Sequence, residues 1–89
     1  MITVNTIDST NFEVIVEGNP TTTHRVTVTH SYYQTLTDNR VSPEALVETS
    51  FKFLLERENN TSILPRFDLP IIERYFPEYE ETIKKMLKQ

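Results

Sequence analysis

Residues 24–58 read HRVTVTHSYYQTLTDNRVSPEALVETSFKFLLERE, and this stretch decides the fold. Its first seven residues alternate polar and apolar side chains, so Val26 and Val28 share one face of a predicted strand. The strand leads into a short segment with helical spacing, over residues 31–37, and then into a longer amphipathic helix. A strand that continues into two helices is the pattern from which the rest of the chain is interpreted.

The longer helix is predicted over residues 43–57. Ser42 is a favourable N-cap, Pro43 suits the first helical position, and Glu44 lies near the positive end of the helix dipole. One face of this helix is apolar, and its large residues are Leu46, Val47, Phe51, Phe53, Leu54 and Leu55. We therefore expect the helix to cover one face of a sheet and its apolar stripe to enter the core.

Three strands are predicted in the first third of the chain, over residues 2–7, 11–17 and 22–30. Alternation of apolar and polar residues gives each strand one buried face. The only glycine, Gly18, falls between the second and third strands, where we predict a hairpin turn with a positive φ at this residue. The short connections favour an antiparallel meander.

Two further helices are predicted after the long one, over residues 69–76 and 77–88. Asp68 is placed as the cap of the first, whose buried residues are expected to be Ile71, Ile72, Tyr75 and Phe76. The second has glutamates near its start and lysines near its end, as the helix dipole favours. The sequence therefore predicts one α+β domain over residues 1–89, a three-stranded antiparallel meander packed on one face by three or four helices.

The composition allows one small core and points to no charged partner. The formal net charge of −4 is shared evenly by the two halves of the chain, so no basic tail indicates nucleic acid or anionic lipid. Cysteine is absent, which excludes disulfides and thiolate chemistry. The amino-terminal residues lack the features of a signal peptide, and no apolar run is long enough to span a bilayer. We therefore expect a cytoplasmic protein without membrane contact.

Patterns typical of catalysis or cofactor binding are not found in the sequence. His24 and His30 are predicted on one strand, roughly 20 Å apart at about 3.3 Å per residue, which is too far for one metal ion. Ser9, Ser31 and Asp8 could be combined with a histidine, but no nucleophile-elbow motif orders them. A single glycine cannot make a glycine-rich phosphate loop. We expect no enzymatic activity, no metal site and no cofactor.

Three short segments carry a family resemblance. The strand Arg-Val-Thr-Val-Thr at 25–29, the helical segment at 33–36, and the Ser-Pro-Glu helix start at 42–44 resemble the ribbon-helix-helix family of DNA-binding repressors and antitoxins. In that family, two strands from the two subunits of a dimer form a ribbon that enters the major groove.

This resemblance implies a set of nucleic-acid contacts. Arg25, Thr27 and Thr29 are expected to reach base edges, and the helix start at Ser42 is expected to contact a phosphate. The upstream hairpin, however, offers the same strand a partner within its own chain, which competes with pairing across a dimer.

Residues 50–58, 67–69 and 74–80 also resemble a small bacterial family of uncharacterised proteins. That resemblance implies a bacterial source and no activity.

Two functional hypotheses follow from the sequence. The leading one is a small non-enzymatic protein-interaction or regulatory domain that binds an unknown protein partner or associates with itself. The alternative is a dimeric ribbon-helix-helix-like DNA-binding regulator or antitoxin.

Overall fold

A computed structural model describes residues 1–88, and its central feature is a four-stranded mixed sheet. The elements in chain order are β1 (Ile2–Thr6), β2 (Asn11–Val16), β3 (Thr22–Thr27), α1 (His30–Thr37), α2 (Pro43–Leu55), a 3₁₀ turn (Asn60–Ser62), β4 (Arg66–Asp68), α3 (Ile71–Tyr75) and α4 (Tyr79–Leu87). The strands lie in the order β1-β2-β3-β4. The predicted α+β class is confirmed.

The prediction of three antiparallel strands was incomplete. β1, β2 and β3 form the expected antiparallel meander, but β4 adds to the free side of β3 in parallel, with Phe67 opposite Val26. Three residues are too few to show alternation, and the pairing joins segments about forty residues apart in sequence. Asp68 therefore lies in a strand and does not cap a helix, and Pro70 occupies the N-cap of α3 without a side-chain hydrogen bond.

Several predicted boundaries shift by one to three residues. β3 ends at Thr27 and α1 already begins at His30, because the Thr29 hydroxyl accepts the Tyr32 N–H and caps the helix. α2 ends at Leu55, since the N–H groups of Arg57 and Glu58 both donate to the Leu54 carbonyl and tighten the chain into a turn.

The two faces of the sheet differ in chemistry. The inner face is apolar, with one exception, and its buried residues are Phe12, Val14, Val16, His24, Val26 and Phe67. The outer face is polar except for Ile15, and its residues are Thr3, Asn5, Asn11, Glu13, Ile15, Thr23, Arg25, Thr27, Arg66 and Asp68. The helices therefore cover one face only, as alternation along the strands requires.

α2 lies against the inner face as expected. Its N-cap is Ser42, whose hydroxyl accepts the Ala45 N–H at 3.1 Å, and Phe51 and Leu54 are buried. α4 packs on α2 through Tyr79, which is fully buried. The Ser50 hydroxyl donates to the Leu46 carbonyl, so it accepts the hydrogen bond from Tyr79 at 2.7 Å.

The predicted hairpin between β2 and β3 forms at Gly18, but the positive φ predicted for this residue was wrong. Gly18 does not have a positive φ, and the connection between β2 and β3 contains a cis Asn19–Pro20 peptide bond. The positive φ values belong to Asp38 and Asn39, at 53° and 61°, where the chain leaves α1. Asp and Asn tolerate this left-handed region better than other residues with a side chain.

Candidate functional site

The four residues assigned to DNA contact do not form one surface. Arg25 and Thr27 share the outer face of β3, but Thr29 caps α1 and Ser42 caps α2. Thr27 donates its hydroxyl to the Asn11 side-chain oxygen at 2.9 Å. Three of the four side chains therefore already have a partner within the chain.

The part of β3 that carries the resemblance, residues 25–27, also lacks a free edge. It pairs along one side with β2 and along the other with β4, and the Arg25 N–H donates to the Pro65 carbonyl at 2.8 Å. A ribbon shared between two subunits needs an unpaired strand edge. Such a ribbon cannot form through β3 unless one of its two partners leaves.

The buried histidine is held by hydrogen bonds at both of its ring nitrogens. His24 Nδ1 lies 2.8 Å from the Leu64 carbonyl oxygen, which can only accept, so Nδ1 carries the proton. Asn60 donates to the Thr22 hydroxyl at 3.0 Å, and this hydroxyl is hydrogen-bonded to His24 Nε2 at 2.8 Å. This chain of three hydrogen bonds fixes the Leu64 segment beside β3, which is a structural role for the histidine.

The other residues considered for chemistry are not assembled. Asp8 accepts hydrogen bonds from the Thr10 and Asn11 N–H groups, which lower the pKa of its carboxyl and hold the β1–β2 turn. His30 lies in the first turn of α1, exposed. Within residues 1–88, no group of three or more His, Asp or Glu side chains is placed to hold a metal ion. The same residues include no helix long and apolar enough to cross a membrane.

A cavity of about 240 Å³ opens between α3 and the chain that leads into β4. Its apolar lining comes from the end of α2, the segment after the 3₁₀ turn, β4 and α3: Leu54, Ile63, Leu64, Phe67, Ile71, Ile72, Tyr75 and Phe76. Glu58 and Ser62 complete the lining. This feature is referred to below as the α3 groove.

The α3 groove has a buried floor and an exposed apolar rim. Ile63 and Ile72 are buried, whereas Leu64 is 43% exposed and Tyr75 is 65% exposed. The four large hydrophobic residues that are exposed in residues 1–88 include this pair, together with Met1 and Ile7. Leu64 and Tyr75 therefore place apolar surface in water beside a concave site, as binding surfaces do.

One carboxyl group stands in this apolar setting. Partial burial raises the pKa of the Glu58 carboxyl above its usual value. Glu58 belongs to no ion pair in the described part of the chain, whereas the nearby Glu78 pairs with Arg57 at 3.2 Å. The Glu58 carboxylate thus loses hydration without gaining a cation.

A second depression adjoins the α3 groove and carries charges of both signs. It shares Leu64, Phe67 and Ile71 with the groove and is lined by Arg66, Arg74 and Asp68. Neither arginine belongs to an ion pair within residues 1–88. The groove is therefore lined by one carboxylate, and two guanidinium groups line the depression beside it.

Sequence reasoning placed the α3 residues wholly in the core, and for Tyr75 this was wrong. The helix has five residues, and the adjacent pairs Ile71-Ile72 and Tyr75-Phe76 cannot both point the same way. Two neighbouring pairs of large apolar residues in so short a segment were the available signal that not all four could be buried: Tyr75 is exposed, whereas Ile71 and Phe76 are partly buried against the core.

Comparisons with models of protein families, with curated proteins and with solved structures found no match.

Proposed function

We propose that this chain is a small non-enzymatic protein-interaction domain that acts in the cytoplasm and binds a peptide segment of another protein in the α3 groove. The observation that carries this proposal is the exposed pair Leu64 and Tyr75 above an apolar cavity of about 240 Å³. Pockets for drug-sized ligands and cofactors usually measure about 300–1,000 Å³. The α3 groove fits one or two large side chains of a protein better than a cofactor.

The charges around the groove define the chemistry of the segment. A Lys or Arg near the apolar anchor would supply the cation that Glu58 lacks, and an acidic residue near the same anchor would meet Arg66 and Arg74. We therefore propose a segment in which one large aliphatic or aromatic residue has a basic and an acidic residue close to it in sequence.

The environment of the Glu58 carboxylate supports a role for this residue in binding. An ionised group that is partly desolvated and unpaired lowers the stability of the free protein. Proteins keep such groups where function requires them, at a cost in stability. Glu58 fits this description. A glutamine at position 58 would fill the same space without the stability cost of an unpaired charge, so the charge itself is the feature that needs a function.

A selection from a peptide library displayed on phage tests the proposal. Random 12-residue peptides are selected on the wild-type protein and counted against the variants Tyr75→Glu and Leu64→Glu, which change exposed rim residues. Ile7→Glu is the matched control, because Ile7 is 45% exposed but lies in the β1–β2 turn. Circular dichroism confirms that each variant is folded.

We expect enriched peptides to contain the anchor with a neighbouring basic residue, and to lose at least tenfold in affinity, about 1.4 kcal/mol, on the two rim variants only. The proposal fails if no peptide distinguishes the wild type from the rim variants, or if Ile7→Glu weakens binding equally.

One observation supports the alternative of a DNA-binding regulator or antitoxin. Arg25 lies opposite Arg66 across the β3–β4 pair, so two guanidinium groups without ion pairs in residues 1–88 share the outer face. Cross-strand like charges are unfavourable unless an anion lies between them. Glu13 and Asp68 on the same face oppose this proposal.

A salt titration of binding to duplex DNA decides between the two functions. Phosphate contacts make affinity fall steeply with ionic strength, and Arg25→Ala should reduce the salt slope by about one. Absence of binding at low salt would eliminate the regulator and leave the peptide groove unaffected.

A further inference from the structure

The first strand leaves an edge of the sheet open, and its hydrogen-bonding groups can be identified from the register. The Glu17 N–H donates to the Met1 carbonyl and the Ile7 N–H donates to the Asn11 carbonyl, so odd-numbered residues of this region bond to β2. In an antiparallel pair, the intervening residues direct their backbone groups to the other side. The N–H and C=O groups of Ile2, Val4 and Thr6 therefore point away from the sheet.

The residues of β1 themselves lack the devices that proteins use to prevent strand addition, although the Glu44 carboxylate at the start of α2 accepts a hydrogen bond from the Thr6 hydroxyl. β1 contains no charged residue, no proline and no glycine, and its five residues pair in unbroken register without a bulge. Such an edge is a template for another strand.

The other edge of the same sheet does have these devices. β4 is only three residues long, carries Arg66 and Asp68 on its outer face, and is bounded by Pro65 and Pro70. Short length, charge and proline each discourage pairing with a further strand. One edge of the sheet therefore carries these features in its own strand, and the other does not.

We propose that β1 pairs antiparallel with β1 of a second copy of this chain, across a two-fold axis at Val4, to give a continuous eight-stranded sheet. In this register Val4 faces Val4 of the second copy, Ile2 faces Thr6, and Thr6 faces Ile2. All three pairs join residues whose backbone groups point outward, which allows six intermolecular hydrogen bonds. A shift by one residue would oppose outward-pointing groups to inward-pointing ones and lose these bonds.

The side chains are self-complementary in the same register. On the inner face, Ile2 and Val4 are only half-buried and pack at the border of the core, so the second copy would cover them further. On the outer face, Thr3 would face Asn5, and neither is charged. A two-fold interface requires this kind of match, because both copies present the same surface.

The side chains favour a second copy as the occupant: β1 carries no charge that would select a strand of opposite charge, and its Val4 and its uncharged Thr3 and Asn5 match themselves in this register. Five residues per copy make a small interface, so we expect an equilibrium between monomer and dimer that depends on concentration. The groove proposed above lies against β4 at the far edge of the sheet and takes no part in this contact.

Sedimentation equilibrium tests the proposal. The weight-average mass of the wild type should rise from 10.5 kDa towards twice that value as the concentration approaches about 1 mM. Val4→Pro removes a donor that β2 does not use, and should weaken association at least tenfold.

Two double variants of opposite charge separate an effect on association from an effect on folding. The double variant Thr3→Lys with Asn5→Lys should be monomeric, as should Thr3→Glu with Asn5→Glu, and an equimolar mixture of the two should dimerise, because opposite charges then face each other. Thr23→Lys, on the same outer face but in β3, is the matched control and should associate like the wild type.

A wild type that remains monomeric at about 1 mM overturns the proposal, and would leave the edge to a strand of another protein. A dimer that survives Val4→Pro and both double variants also overturns it, since the contact would then lie elsewhere. Peptide binding in the α3 groove should be unchanged in all of these variants, so failure here does not affect the proposed function.

Discussion

The two edges of the sheet are built on different principles. β1 reaches the sheet through a local hairpin, whereas β4 joins it by parallel pairing after a connection that includes α1, α2 and the 3₁₀ turn. Around β4, side-chain contacts hold the strand in the sheet: His24 hydrogen-bonds to the Leu64 carbonyl, and Phe51 contacts Phe67. The β1 edge offers backbone groups and half-buried side chains. We therefore expect side chains on the β4 side to contribute more to the free energy of unfolding than side chains at the β1 edge.

The largest expected effect comes from the aromatic cluster on the β4 side. Phe51 is fully buried, and its ring centroid lies 5.4 Å from that of His24 and 6.0 Å from that of Phe67. We predict that Phe51→Ala lowers the free energy of unfolding by about 3–5 kcal/mol, because it leaves a cavity among these rings.

The matched truncation on the other side is Val4→Ala. Because Val4 is only half-buried, we expect it to cost about 1 kcal/mol. Urea denaturation followed by circular dichroism measures both values, under conditions where the protein is monomeric. Equal losses would show that the two sides contribute alike and that the comparison is wrong.

An intermediate effect is expected at His24. Replacing it by leucine removes the donor to the Leu64 carbonyl and the hydrogen bond to the Thr22 hydroxyl, and we predict a loss of about 1–3 kcal/mol in the free energy of unfolding. Amide hydrogen exchange should show the larger local change at Arg25, whose N–H bonds to the Pro65 carbonyl.

The control for this variant is Thr23→Ala, an exposed change on the neighbouring residue of β3, which should stay within about 0.5 kcal/mol. If exchange at Arg25 is the same in His24→Leu and in the wild type, the hydrogen bonds of the histidine do not hold β4 in place.

The smallest expected effect is at Glu58 and depends on pH. Burial raises the pKa of this carboxyl in the folded state, so the folded protein binds the proton more tightly than the unfolded chain. The resulting stabilisation is present at low pH and is lost as the pH rises through the raised pKa. The change in the free energy of unfolding caused by Glu58→Gln should therefore be more stabilising near pH 7 than near pH 3.5, by no more than about 0.5 kcal/mol.

Thermal or urea unfolding at the two pH values measures this difference, with Glu17→Gln as the control at an exposed position beyond β2. A Glu58→Gln variant that is less stable than the wild type near pH 7 would mean that the carboxylate has a favourable partner, and would remove the charge argument for the groove.

Elements with local signals could be predicted from the sequence. The start of α2 at Ser42, Pro43 and Glu44 was confirmed, because each residue acts on the helix terminus through its own backbone or side chain. β1, β2 and β3 also follow from alternation. β4 could not be predicted in this way, since its three residues are defined by contact with β3 and not by any pattern of their own.

The candidate site was harder to predict for the same reason. Leu54, Leu64 and Tyr75 come from three separate segments and meet only when β4 joins the sheet. Apolar residues that line a groove and apolar residues that fill a core look alike in a sequence. Only the fold reveals that Tyr75 points outward while Phe76 packs against the core.

The strand order also has a consequence for how strongly a partner could be held. Since β1 and β4 lie at opposite ends of the sheet, two molecules joined at β1 would carry their binding grooves at the two distant ends of one rigid body. A target with two copies of the recognised segment, joined by a linker long enough to span that body, would bind the second groove at a raised effective concentration. Modest affinity at each site would then add up to avidity, controlled by the protein's own concentration.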